Sequence, residues 1–279
     1  MKKKIIGLFA FISLIFPLYK ASAHNEIEET EKHLFINGGY VDFNSSKVKK
    51  YGYFNTIKYG FFLGKNHNIT FDKKTIYINT KLPKDLKVNK YSLVYQYIDK
   101  PYRLIFNFLY IDDNLVEEAD NIKTIGVGLG YKHFEWKGYI TKFKNFDTYQ
   151  LDLKYYLLKK NFKALIFIKN IHISKKTGIS QKSQKNYTTV GFFSHYFIND
   201  YHIGTNLILG KRLFTVLENG MNLEHHPLEF NYSFILKIGK KLKIGTLHIG
   251  YANSQAEELP FNNNEIKINK YFIDYSFKF

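Results

Sequence analysis

Lys270-Tyr271-Phe272-Ile273-Asp274-Tyr275-Ser276-Phe277-Lys278-Phe279 is the stretch whose reading decides the fold. Tyr271, Ile273, Tyr275, Phe277 and Phe279 recur at every second position, and Lys270, Asp274, Ser276 and Lys278 fill most of the places between. An extended strand with that period has one aromatic face and one wet face, and only Phe272 breaks the polar row. Water gives such an aromatic row nothing to bind. The closing strand of a lipid-embedded barrel needs this pattern, with apolar side chains outside and polar ones inside.

The N-terminal stretch points the same way. Lys2, Lys3 and Lys4 precede an apolar run from Ile5 to Leu18, and Ala21-Ser22-Ala23 follows. That is the charged, apolar, small-residue order of a secretory signal peptide, so residues 1–23 are expected to be removed. The run is shorter than the ~20 residues a membrane helix needs, and no later apolar stretch reaches that length. An exported chain without membrane helices spans a bilayer only as a closed barrel. Residues 271–279 resemble the C-terminal strand of Gram-negative outer-membrane β-barrels. That resemblance implies a terminal Phe read by the barrel-assembly machinery, with Tyr271, Ile273, Tyr275, Phe277 and Phe279 as the assembly signal. It implies architecture and address, and carries no substrate.

Composition agrees. Aromatic residues make up 18% of the chain, as 23 Tyr, 26 Phe and one Trp, a load that girdles at two lipid interfaces would use. With no cysteine, neither a disulfide framework nor a thiolate metal site is available. The formal net charge is +17, and losing Lys2, Lys3, Lys4 and Lys20 with the leader leaves +13. Nucleic acid is the usual partner of so basic a protein, but an exported barrel does not meet it. Lipopolysaccharide phosphates, outer-membrane lipids and small anions are the expected contacts.

After a short acidic periplasmic leader, residues 24–32, the chain divides into extended segments of about ten residues, the length that crosses such a membrane when tilted. They are read as 33–43, 51–63, 68–80, 89–98, 102–111, 121–131, 134–143, 148–158, 162–173, 187–197, 201–212, 227–238, 241–251 and 266–279. The expected fold is all-β: a transmembrane antiparallel β-barrel of about fourteen strands over residues 33–279, or twelve if one hairpin is spurious. Tight connections alternate with long ones. The tight set is Gly64 to His67, Asp99 to Pro101, Lys132-His133, Lys159 to Asn161, Asn199-Asp200 and Gly239-Lys240. Its members carry the residues that make hairpin turns, and short turns belong in the periplasm.

Alternation then assigns faces. Tyr102, Leu104, Phe106, Phe108 and Tyr110 are expected toward lipid, leaving Arg103 and Asn107 inside. In the same way Asp152 and Lys154, His202 and Asn206, and Glu229 and Lys237 are expected to line the lumen. Segments 162–173 and 187–197 alternate poorly, with apolar residues on both faces. Strand-borne charge is mainly Lys and Arg, which favours anions in the lumen. Gly126-Val127-Gly128-Leu129-Gly130 places glycine at alternate positions of a strand, where small residues relieve crowding; no helix follows to make a phosphate loop.

Two clusters carry chemistry of their own. Glu224-His225-His226 combines imidazoles with a carboxylate, as Zn, Cu or Ni sites do, although neighbouring side chains on an extended segment point apart. His172-Ile173-Ser174 places a base and a nucleophile on one strand face. Its spacing resembles that of outer-membrane lipid A deacylases, and outer-membrane phospholipases also use His and Ser. The residues after Ser174 are Lys175-Lys176-Thr177-Gly178, so the Asn expected beside the Ser is missing and no acid partner is evident. The sequence therefore supports a monomeric, cofactor-free porin-like channel for small polar or anionic solutes first. A lipid hydrolase using His172 and Ser174, or a closed barrel that binds through its loops, stands as the alternative.

Overall fold

The structure, a computed structural model, describes residues 32–114, 121–143, 147–174, 186–212, 215–217, 220–222, 228–258 and 263–278. Its strands are β1 (Lys32–Asn44), β2 (Lys49–Leu63), β3 (His67–Thr80), β4 (Leu86–Asp99), β5 (Tyr102–Asp113), β6 (Ile122–Tyr131), β7 (Phe134–Lys142) and β8 (Asp147–Lys159). There follow β9 (Phe162–Ile173), β10 (Asn186–Ile198), β11 (Tyr201–Arg212), β12 (Thr215–Leu217), β13 (Gly220–Asn222), β14 (Leu228–Leu242), β15 (Gly245–Glu258) and β16 (Asn263–Lys278). Fourteen of them form one closed barrel in which each strand lies antiparallel to its sequence neighbours, and β12 and β13 form a separate two-stranded sheet. Pairing of β1 with β16, from His33↔Lys278 to Asn44↔Lys267, closes the ring and removes the last sheet edge. The backbone of the β12–β13 hairpin approaches β5, β6 and β7, four to six places round the wall from its own root on β11.

Outward residues form an apolar belt. Tyr271 and Ile273 on β16, Leu151 and Leu153 on β8, and Ile125, Val127 and Leu129 on β6 all lie exposed on the outer surface. Alternate residues of the same strands point in and are buried. A soluble protein hides such a belt, whereas a bilayer solvates it.

Several inward glycines exist because a neighbour's side chain occupies their place. A Cβ on Gly250 would meet the Phe272 ring at 2.1 Å, and one on Gly191 would meet the Phe167 ring at 2.0 Å. Each ring therefore lies flat over a glycine of the adjacent strand, which explains the single apolar interruption at Phe272. Gly126, Gly128 and Gly130 do the same for Tyr139, Lys137 and Arg103. Gly250→Val is expected to push the Phe272 ring into the lumen at the ~1–3 kcal/mol usual for overpacking. A gel-shift unfolding curve would read this as a lower midpoint, and an unchanged midpoint would show that the seat is not tight.

One expected turn is displaced. β14 continues through Gly239 and Lys240 to Leu242, and the chain reverses at Lys243-Ile244. Gly239 is inward-facing and sits directly between His202 and His248 in the register, where a Cβ would meet His248 Cδ2 at 2.2 Å and His202 Cε1 at 2.5 Å. It is a glycine for crowding, not for a bend. The other tight turns lie where the sequence puts them, and Gly64, Lys132 and Asn199 take the positive φ such turns need.

Strands also run further than expected at the long-loop end. β15 reaches Glu258, whose carboxylate accepts from Ser46 Oγ at 2.7 Å and from the Lys47 N–H at 2.6 Å, fastening the β1–β2 connection. In the β3–β4 connection Asp85 accepts from the Tyr77 hydroxyl and from the Thr80 N–H. Those bonds, the Tyr77 one foremost, hold its carboxyl below the usual carboxylate range.

Candidate functional site

The lumen has three levels. At the short-turn end a cavity of about 700 Å³ opens among His33, Phe35, Phe62, Gln96, Lys241 and Ser276. Above it, between β1–β3 and β14–β16, lies a cavity of about 180 Å³ lined by Asn37, Phe54, Lys74, Ile76, Lys270 and Phe272, among others. A third, of about 110 Å³, shares Ile235, Ala252 and Lys270 with the second and adds Phe167, Lys169, Thr189 and Ser233. In both inner cavities a cation lies near an aromatic ring. Lys74 Nζ is 5.8 Å from the Phe54 centroid and Lys169 Nζ is 5.1 Å from that of Phe167. Toward the long-loop end the wall carries an apolar girdle, with Lys49, Asp113 and Glu258 also buried at that end. Val41, Ile78, Val88, Leu109, Ile122, Ile173 and Ile268 belong to one buried cluster that runs round the inside of the wall.

Ion pairs organise the wall from β5 to β9. Glu135 on β7 lies 3.1 Å from Lys137 Nζ, 3.2 Å from Lys154 Nζ and 3.5 Å from Arg103 Nη2. Arg103 reaches it by crossing β6 at Gly130, where a Cβ would stand 2.8 Å from its Nε. One strand further on, Asp152 Oδ2 is 3.4 Å from Lys169 Nζ, and Asp152 Oδ1 accepts from Gln150 Nε2 at 2.7 Å. Glu135, Asp152, Lys154 and Lys169 are all buried, so these charges are held by one another and by crowding.

The opposite wall carries imidazoles. Asp274 on β16 is hydrogen-bonded to His248 Nδ1, and His248 Nε2 faces His202 Nε2 across Gly239. The His195 ring lies 5.8 Å from that of His202, and Lys237 and His195 both overhang Gly204.

Neither a protein-family model nor a curated sequence matches the chain. Solved structures do. The outer membrane protein Omp33 of Acinetobacter baumannii superposes with a TM-score of 0.53 at 7% identity, over 89% of this chain and 99% of that one. The fold is that of an outer-membrane β-barrel. The NanC porin gives a TM-score of 0.48 at 14% identity over 88% and 100% of the two chains, and Pseudomonas aeruginosa OccD3 gives 0.44 at 10% over 96% of each.

Within this barrel the residues singled out in the sequence separate into groups. Arg103, Asp152 and Lys154 come together on one wall with Glu135. His202 and Lys237 stand on the opposite wall, with Asn206 further along β11 opposite Ile235. Asn107 is buried on the inner face of β5. Glu229 pairs with Glu257 at the start of β14, beside a bulge between Phe230 and Tyr232, and its side chain lies outside the described residues. Tyr271, Ile273, Tyr275 and Phe277 share the outer face of β16, while Phe279 and the Glu224-His225-His226 cluster lie outside the described residues.

His172 and Ser174 stand on the outer face at the long-loop end. His172 Nδ1 is 2.6 Å from Asn186 Oδ1, and Ser174 Oγ donates to the Asp147 carbonyl at 2.8 Å. Sequence reasoning missed Asn186, and it missed Lys74, Lys270, Glu135, His248 and Asp274 as partners. Alternation alone would have turned Lys74 and His248 inward. Only the register shows which strands bring partners to them.

Proposed function

We propose that the protein is a monomeric outer-membrane channel of a Gram-negative bacterium, passing small polar or anionic solutes. On this reading it is exported by a signal peptide, inserted by the barrel-assembly machinery, and surrounded by outer-membrane lipid and lipopolysaccharide, with its short turns in the periplasm. The observation that carries the reading is the pair of adjoining mid-lumen cavities, with Lys74, Lys169 and Lys270 among their linings. The Lys74 and Lys270 ammonium groups replace part of an anion's lost hydration, Lys169 being held by Asp152, and the Phe54, Phe167 and Phe272 rings leave space beside them. Arg103, Lys154 and Lys237 are assigned to the lumenal field that surrounds this path. The apolar girdle at the long-loop end narrows the route, as hydrophobic constrictions do, so unit conductance should be small.

The test is single-channel recording from the refolded mature chain in a planar bilayer under a salt gradient. Small, steady steps with an anion-selective reversal potential are expected. Silence, or cation selectivity, from protein whose gel mobility shows it to be folded would sink the reading.

A further inference from the structure

We propose that His172, Ser174 and Asn186 form a second site, an ester-hydrolysing site on the lipid-facing wall whose substrate is an acyl ester of a surrounding glycerophospholipid. It stands apart from the lumen and does not depend on solute passage.

The register supplies the arrangement. β9 and β10 pair His172 directly with Asn186, and Ser174 lies two residues beyond His172, on the same face. Asn186 Oδ1 faces His172 Nδ1 at 2.6 Å. An amide oxygen only accepts, so the proton belongs on Nδ1 and the lone pair on Nε2, the tautomer a general base requires. The Tyr149 ring, 6.5 Å between centroids, flanks the imidazole. Asn186 is thus a positioning residue that orients the base from the neighbouring strand, the role that looked unfilled from the residues next to Ser174.

Ser174 is already placed by its backbone. Its hydroxyl accepts from the Asp147 N–H at 3.0 Å and donates to the Asp147 carbonyl at 2.8 Å. The same carbonyl also receives the Ser174 N–H at 2.9 Å. Turning the hydroxyl proton toward His172 therefore leaves no acceptor orphaned, because the carbonyl keeps one donor and Oγ keeps the Asp147 N–H. The cost is the one neutral hydrogen bond from Oγ to that carbonyl.

Depth suits the substrate. Below the site on the same outer face lie Leu151, Ile168 and Val190, all exposed apolar side chains of the lipid belt. At the level of the site the face turns polar, with Asn170 Nδ2 donating to Thr188 Oγ1 at 2.9 Å. A phospholipid's ester carbonyls sit at this same boundary between tails and headgroups.

In the reaction Ser174 Oγ bonds to the ester carbonyl carbon as its proton passes to His172 Nε2. The carbon–oxygen bond to glycerol then breaks, and that oxygen takes the proton from His172. Water attacks the acyl-serine, giving its proton to His172, which returns it to Oγ. One ester and one water become a fatty acid and a lysophospholipid, with no oxidant or metal needed.

The refolded full chain would be incubated in mixed micelles of detergent and phosphatidylethanolamine, and released fatty acid measured. Fatty acid release is expected, falling ~100-fold or more in Ser174→Ala and in His172→Asn. Asn186→Ala should lower the rate, and Asn186→Asp should restore much of it with a shifted pH profile, which a merely structural role would not produce. A fluorophosphonate should label Ser174 in the wild-type chain, as located by peptide mass spectrometry. Bilayer currents should be the same in Ser174→Ala as in the wild type, so failure of this site and failure of the channel reading are separable. Folded protein that releases no fatty acid and takes no label at Ser174, or a Ser174→Ala chain as active as the wild type, overturns the proposal.

Discussion

Glu135→Ala is expected to be the most damaging single substitution in the barrel wall, lowering stability by about 3–5 kcal/mol. Glu135 is the carboxylate that Lys137, Lys154 and Arg103 share, at 3.1, 3.2 and 3.5 Å. Its side chain and that of Lys154 are almost wholly buried, at 4% and 2% exposure, so water does not substitute when the carboxylate goes. Three cations would then repel one another in a confined space of low polarisability. Glu135→Gln keeps the shape and some hydrogen bonding but not the charge, and should fall between Ala and wild type. Lys154→Met should cost less, since Glu135 retains Lys137 and Arg103. Urea titration in detergent, read by tryptophan fluorescence and gel mobility, orders the three variants. A Glu135→Ala midpoint equal to the wild type would show that these pairs balance their own desolvation.

Where the sequence spoke clearly, one face of a strand met lipid and the other met polar groups. β8 is such a case, with Tyr149, Leu151 and Leu153 outside and Gln150, Asp152 and Lys154 inside. Residues 162–173 and 187–197 read poorly for a physical reason. Their inward Phe167, Ile171, Ile173 and Tyr187 are buried apolar residues, the last three of them part of the girdle. The outer face carries Ile168 and Val190 lower down and turns polar at Asn170, His172, Asn186 and Thr188, so the apolar face changes side along β9 and β10 and no single alternation survives. Gly239 was misread because glycine serves both turns and crowded sheet interiors. The difference lies in what the neighbouring strands present, here His202 and His248, and that needs the register. Register is also what joined Asn186 to His172 and Glu135 to Lys154: a turn moved by a few residues would have separated each pair.

Reversing the two cations of the larger inner cavity, Lys74→Glu with Lys270→Glu, is expected to turn an anion-preferring channel into a cation-preferring one. Lys74 rises from β3 and Lys270 from β16, on either side of β1 and β2 in the ring, and both line the same space. A solute passing within about 7 Å of each in watery surroundings feels roughly 0.6 kcal/mol per unit charge, so a change of four units amounts to about 2 kcal/mol before screening. Salt near 0.1 M has a Debye length of about 10 Å and removes only part of this. The permeability ratio should therefore shift by ~10-fold or more, enough to reverse the sign of the zero-current potential in a salt gradient. Lys154→Glu should do much less, because its ammonium is buried against Glu135 rather than turned toward the path. If the double reversal leaves the zero-current potential unchanged while currents persist, solutes bypass this cavity and the path must run along another part of the wall.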